Sequence, residues 1–238
     1  VSIFVNPTQF GPDEDFSKYP RHLEADLKFC EARGVELVFH PSTGEMYGSA
    51  QLPGGAEGGL TEVSMSQLTD TLCGRSRPGH FPGVCTVVAK LFNIVQPDRA
   101  YFGQKDYQQA VVIRRMAADL NFPIEIVTCP TVREADGLAV STRNVHLTAE
   151  QRREAAGLYA SLKLAEEMIT RSCPPPGDVI EAIRTYLTEH APLGEIDYVQ
   201  IVDPQILRDA ETTSCPVLVA LAVRFGQTRL IDNISLRG

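Results

Sequence analysis

Two hydrophobic periods alternate along the chain. Short apolar or β-branched runs at Val1–Val5, Val35–His40, Arg99–Phe102 and Ile124–Cys129 predict strands, the first and third of them buried. Between them, apolar positions fall at helical spacing: Leu23, Leu27 and Cys30 within Pro20–Arg33, then Gly83–Val95, then Tyr107–Leu120. Gly34 supplies a stop for the first helix and Gln96-Pro97-Asp98 for the second. Pro7 cannot continue a central ladder, so Asn6-Pro7-Thr8-Gln9 closes the first strand. The order β-α-β-α-β-α-β predicts an α/β fold, a Rossmann-like parallel sheet with helices on both faces.

The last third reads differently. Thr148-Ala149-Glu150-Gln151 has the form of a capping box opening a helix that runs to about Arg171. Cys173-Pro174-Pro175-Pro176-Gly177 breaks the chain before a helix over Asp178–His190 and a strand over Asp197–Val202. Pro216–Phe225 and Thr228–Ile234 flank Gly226-Gln227 as a hairpin. Residues 1–144 are therefore expected to form one Rossmann-like α/β domain and 145–238 a smaller C-terminal α+β domain. Ser42–Gly59 is glycine-rich and reads as a surface excursion, and Val63–Leu72 as a helix or an extended lead-in.

Charge narrows the partners. The 238 residues carry a net charge of −8, which argues against nucleic acid or a membrane surface as a partner. No apolar run is long enough to predict a membrane span. The six cysteines include no C-x-x-C pair, so buried reduced thiols in a cytoplasmic protein are the expectation, not a zinc site or a disulfide framework.

In an acidic chain, local clusters of positive charge are informative. The stretch Phe102-Gly103-Gln104-Lys105-Asp106 joins a strand end to a helix start, with Gly103 expected to permit a turn that a Cβ would obstruct. The helix N-terminus and Lys105 together suit an anion such as phosphate; a solvated loop fits equally well on these residues alone. Arg75-Ser76-Arg77-Pro78-Gly79-His80 is a second candidate anion contact, with the same alternative. Asn6 and Gln9 are neutral polar groups at a strand's carboxyl end, able to point into a cleft, whereas Asp13-Glu14-Asp15 reads as a solvated acidic tip. The loop 130–144 is long and carries Gly137, two hydroxyls and Arg143, the parts of a phosphate-gripping loop.

With F-V-N-P-T-Q-F, R-P-G-H-F, F-G-Q-K-D-Y-Q-Q and D-G-L-A-V-S-T-R-N in order, the chain resembles the pantothenate synthetase (pantoate–β-alanine ligase) family, from Val1 to the closing Leu230-Ile231-Asp232-Asn233-Ile234. The resemblance implies adenylation of pantoate by ATP with Mg²⁺, then attack by β-alanine, in a homodimer. It implies that Gly103, Gln104, Lys105 and Asp106 bind ATP, and that Val132 lines the adenine pocket. Val140, Ser141, Thr142 and Arg143 would form the mobile phosphate loop, with Lys105, Ser141 and Arg143 the catalytic groups. Gln9 and Gln109 would hold pantoate, with Asn6, Arg77 and His80 at the edge of the pantoate and β-alanine site. No metal is expected to be ligated directly by side chains.

The chain departs from the family pattern at several positions. Thr142 stands where a second serine is usual, Gln104 where glutamate is common, and Pro82 where arginine is frequent. Cys73 replaces a frequent glutamate, so loss of a local ion pair is expected. The resemblance also implies a first strand and a helix with an H-I-G-H-like histidine pair ahead of Val1; that unit is absent from the sequence as given, and residues 1–238 alone are expected to be inactive. Two other readings follow: a nucleotidyltransferase releasing a dinucleotide or an activated alcohol, and a catalytically incomplete nucleotide-binding fragment.

Overall fold

A computed structural model describes residues 1–12, 14–48, 61–214 and 216–236. The chain forms two compact units, Val1–Met65 with Arg77–Pro97, and Ser66–Ser76 with Asp98–Gly238.

The first unit is built on helices α1 (Leu23–Glu31), α2 (Thr43–Tyr47) and α4 (His80–Val95). In α4, Phe81, Val84, Cys85, Val88 and Phe92 fall at three- and four-residue spacing and are buried, as an amphipathic helix requires. Burial pushes the Cys85 thiol up to about 11, which leaves it unreactive. Gly79, in the left-handed region at φ 84°, turns the chain into the helix. Gly83 has a different task. A Cβ there would lie 2.4 Å from the Thr8 carbonyl oxygen, so the helix packs backbone to backbone on the short 3₁₀ turn Pro7–Gln9.

The second unit contains α3 (Leu72–Ser76) and the parallel pair β1 (Arg99–Gly103) and β2 (Glu125–Cys129), joined through α5 (Tyr107–Asp119). Helices α6 (Ala149–Ala155), α7 (Gly157–Ser172) and α8 (Pro176–His190) follow. Then comes an antiparallel sheet in the order β3 (Gly194–Val202), β4 (Val217–Phe225), β5 (Thr228–Leu236). Strand β4 is apolar at nearly every position because it is buried on both faces. Val217, Val219, Leu221, Val223 and Phe225 face one core, shared with Leu158, Leu162 and Ile169 of α7 and Val179, Ile183 and Leu187 of α8. Leu218 and Ala220 face the other, shared with Leu72, Val111, Val202 and Leu207. Strand β5 pairs with β4 along one edge and packs against the turns that follow β1 and precede α6.

The hairpin at Gly226 (φ +59°), the Thr148–Gln151 capping box and the stop at Cys173 are as the sequence predicts. Other expectations are corrected. Val1–Val5 is not a buried strand: Val1 is 61% exposed, and the segment meets Val35–His40 through one parallel bridge, Ser2 to Phe39. Strand β1 is exposed on alternate residues, with Tyr101 63% exposed. Gly103 is ordinary extended backbone (φ −74°), and a Cβ there would meet nothing within 4 Å. The helix after Thr148 is two helices, broken at Ala156 where Gly157 weakens propagation. Within Ser42–Gly59, Thr43–Tyr47 is helical under its own capping box, from Ser42 to Glu45, while residues 49–59 lie outside the described residues, as do Asp13 and Cys215.

Replacing Gly83 with alanine should force α4 away from Thr8. A loss of about 1–3 kcal/mol in denaturant unfolding is expected, the usual range for overpacking; an unchanged midpoint would contradict the close approach.

Candidate active site

In the first unit, four of the sequence-derived site residues form one hydrogen-bonded group. Asn6 is 2% exposed. Its amide donates to the Gly83 carbonyl at 3.1 Å and to Gln9 Oε1 at 3.3 Å. Its Oδ1 accepts from the Tyr47 hydroxyl at 2.7 Å and the Thr8 hydroxyl at 3.0 Å. Both N–H bonds of the amide are engaged, so Asn6 orients Gln9 from below. Burial raises the Tyr47 hydroxyl's pKa, against its bonds to Thr8 and Asn6, and keeps it a donor.

Arg77 is held by Glu14 through two bonds of 2.6 Å. Burial alone would raise the Glu14 carboxyl, but the bond and charge of Arg77 outweigh it and hold its pKa below the ordinary value. Glu14 is thus no solvated loop acid, and the Arg77 charge has an internal partner. His80 Nδ1 lies 2.9 Å from the Gln9 carbonyl and Nε2 lies 3.0 Å from Arg77 Nη1. A carbonyl only accepts and a guanidinium only donates, so these contacts fit neutral imidazole with its proton on Nδ1.

In the second unit, Gln104–Asp106 forms a 3₁₀ turn between β1 and α5, with Asp106 at the N-cap of α5. Lys105 is half-buried and Asp106 exposed, while Gln109 lies half-buried on the first turns of α5. Its neighbour Gln108 is buried, and its amide donates to the Leu68 and Thr71 carbonyls at 2.9 Å.

The long loop is a hairpin. Arg133 bridges to Ala139, and Val140 N–H donates to the Val132 carbonyl at 2.9 Å. Gly137 turns it at φ +92°, where a Cβ would also meet Tyr159 Cδ1 at 2.5 Å. Val132 and Val140, paired across the hairpin, are 70% and 50% exposed. Ser141 then caps a second 3₁₀ turn, Thr142–His146, its hydroxyl accepting from Arg143 N–H at 3.3 Å. Asp136, at the hairpin tip, pairs with Arg152 of α6 at 2.5 Å, and that bond holds its pKa below the ordinary value.

Both 3₁₀ turns pack on β5. The connection runs through residues that sequence reasoning did not single out. Asn233 donates to the Gln104 and Lys105 carbonyls at 3.0 and 2.8 Å. Asp232, 2% exposed, accepts Arg133 through bonds of 2.6 and 3.0 Å. Arg133 also donates to the Gly137 carbonyl at 3.0 Å and stacks 3.7 Å over the Tyr159 ring. The available signal was an acid and an amide side by side between the isoleucines of the closing Leu230-Ile231-Asp232-Asn233-Ile234. The ion pair expected to be lost at Cys73 has another carboxylate: Arg229, 3.6 Å from the buried thiol, pairs with Asp197 at 2.7 Å.

Among the described residues, no group of three or more His, Cys, Asp or Glu could hold a metal ion, and no helix is long and apolar enough to cross a membrane.

Because the Glu14 carboxyl titrates below its ordinary 4.5 in the folded chain, its pairing with Arg77 stabilises the fold at neutral pH. That contribution fades as pH falls below 4.5 through the depressed value. Glu14→Gln should cost roughly 1–3 kcal/mol at pH 7, with the two proteins converging at acid pH. A pH-independent difference in unfolding free energy would show that the pair does not carry it.

The Pantoate-beta-alanine ligase family model matches residues 1–235. A pantothenate synthetase of Moorella thermoacetica is 56% identical over 236 residues, covering 99% of this chain and 80% of the relative. One from Ruminiclostridium cellulolyticum is 51% identical over 235 residues, with 99% and 80% covered. The crystal structure of a Thermus thermophilus pantothenate synthetase superposes with a TM-score of 0.91 at 44% identity, over 100% of this chain and 83% of that one. A Francisella tularensis pantoate-beta-alanine ligase, solved in complex with beta-gamma ATP and beta-alanine, gives a TM-score of 0.74 at 31% identity, with 98% and 77% covered. With a family match along almost its whole length and relatives above half identity, this chain belongs to the pantoate–β-alanine ligase family.

Proposed function

We propose that this chain condenses pantoate with β-alanine through a pantoyl adenylate. A pantoate carboxylate oxygen attacks the α-phosphorus of ATP and pyrophosphate leaves. The β-alanine amine then attacks the acyl carbon, loses a proton, and AMP departs with the electron pair of the C–O bond. Adenylation is needed because a bare carboxylate has no adequate leaving group. The first step is phosphoryl-type displacement, where an enzyme contributes mainly positioning and charge.

In this reading Lys105 and Arg143 neutralise the phosphates, and the Ser141 and Thr142 hydroxyls donate to them. Gly103, Gln104 and Asp106 complete the ATP contact, and the adenine lies on Val132 and Val140. Asp106 is the residue that would accept a hydrogen bond from a water on Mg²⁺ entering with ATP, and that ion would supply charge neutralisation of the departing pyrophosphate. Gln9 and Gln109 hold pantoate. Asn6 keeps Gln9 in place, and Arg77 and His80 support the same loop. The parallel pair belongs to a Rossmann-like sheet with helices on both faces, and the working enzyme is a cytoplasmic homodimer.

The observation that carries the assignment of the phosphates is that the Lys105 turn and the Ser141–Arg143 turn both pack on β5. The family match over residues 1–235 favours the ligase over a non-catalytic nucleotide-binding fragment.

Lys105→Ala and Arg143→Ala should each lower pantoate-dependent pyrophosphate release by about 100-fold or more, the usual effect of deleting a charge aimed at a transition state. Changes within about threefold in both variants would remove these residues from the phosphate site.

A further inference from the structure

Strand β5 carries an acid and an amide at adjacent positions, both almost fully buried: Asp232 at 2% exposure and Asn233 at 4%. Successive side chains leave a strand on opposite faces, so one dipeptide can reach two different segments. Asn233 reaches the turn that follows β1. Both atoms it touches, the carbonyl oxygens of Gln104 and Lys105, are acceptors only, so its NH₂ group must face them. Its Oδ1 is buried without a hydrogen-bond partner among the described residues. Turning the amide over would set that oxygen against two carbonyls, so the orientation is fixed by the Lys105 turn even with an acceptor left orphaned.

Asp232 reaches the hairpin. Its two oxygens accept both terminal nitrogens of Arg133, a planar bidentate pair that fixes direction as well as distance. Arg133 in turn holds the Gly137 carbonyl and is clamped against Tyr159. Four positions separate Ala139, the cross-hairpin partner of Arg133, from Arg143, and Asn144 closes that interval by donating to the Ala139 carbonyl at 3.1 Å. Asp232 Oδ1 also accepts from Asn233 N–H at 2.8 Å, which ties the two anchors to each other.

We propose that Asp232 and Asn233 are positioning residues for adenylation, setting the spacing between the Lys105 turn and the Ser141–Arg143 turn from one point on β5. Neither touches substrate in this scheme. The inference rests on Lys105 and Arg143 being the groups that hold the phosphates. Those groups matter while pyrophosphate is leaving and not once pantoyl adenylate has formed, so misplacing the turns should impair the first half-reaction selectively.

The test compares two rates in each enzyme preparation: pantoate-dependent pyrophosphate release in a single turnover, and pantothenate formation from synthetic pantoyl adenylate with β-alanine. Their ratio does not depend on the fraction of enzyme that is folded. Asn233→Asp keeps the shape but opposes a carboxylate to the two carbonyls; Asn233→Ser, which removes the reach without adding charge, serves if that variant does not fold. Asp232→Asn removes the charge facing Arg133. Each should lower the ratio by about 10–100-fold, the range for displaced catalytic groups and their supports, and Lys105→Ala and Arg143→Ala by about 100-fold or more. If the reference variants lower the ratio and the β5 variants do not, because both half-reactions fall together or neither falls, the two residues are merely structural and the inference is overturned. If Lys105→Ala and Arg143→Ala also leave the ratio unchanged, the assignment of the phosphates fails, and this inference with it.

Discussion

A buried carboxylate shared with a guanidinium organises the second unit. Asp232 has almost no contact with water, and a carboxylate there is tolerable only because Arg133 meets it with two hydrogen bonds and its own neighbour donates a third. That requirement dictates the rest locally. Arg133 must come from the hairpin that follows β2, the hairpin must turn tightly enough for the Gly137 carbonyl to meet the same guanidinium, and Tyr159 of α7 must lie flat against it. Gly137 satisfies two of these conditions together, a positive φ and the absence of a Cβ against Tyr159. The turn that bears Ser141 and Arg143 is therefore presented by a hydrogen-bonded base, although Val132 and Val140 are exposed.

The first unit solves a related problem without buried charge at its centre. Asn6 is almost wholly enclosed, and its amide links the end of the Val1–Val5 segment, the start of α4 and the Tyr47 hydroxyl of α2. The backbone contact at Gly83 brings Thr8 and Gln9 against α4. Around this, Glu14, Arg77 and His80 form a chain of donors and acceptors ending on the Gln9 carbonyl. Gln9 is thus supported through both its side chain and its backbone, as a residue that must present a polar group at a fixed place requires.

Features governed by local rules were legible in the sequence. The capping box at Thr148, the glycine hairpin at Gly226 and the proline-flanked stop at Cys173 each depend on residues within one turn of one another. The resemblance supplied the candidate site motifs, and the structure puts Lys105 and Arg143 on turns that pack on the same strand. What sequence misjudged depends on long-range pairing. Val1–Val5 has the composition of a buried strand, yet its burial is decided by neighbours that composition does not name. Gly103 suggested a steric demand that its surroundings do not make. Glu14 passed for a solvated acid because its partner lies 63 residues away. Asp232 and Asn233 are adjacent polar letters between isoleucines, a signal that something must be satisfied there, but only the fold shows that the partners are Arg133 and the Lys105 turn.

Adenylation in this scheme requires the two turns of the second unit to serve one triphosphate. A crystal structure of the enzyme with a non-hydrolysable ATP analogue tests this most directly. The predicted result is β- and γ-phosphate oxygens within hydrogen-bond reach of both Lys105 Nζ and the Arg143 guanidinium, with Asn233 still donating to the Gln104 and Lys105 carbonyls. Phosphates held by one turn alone, with the other directed elsewhere, would contradict it.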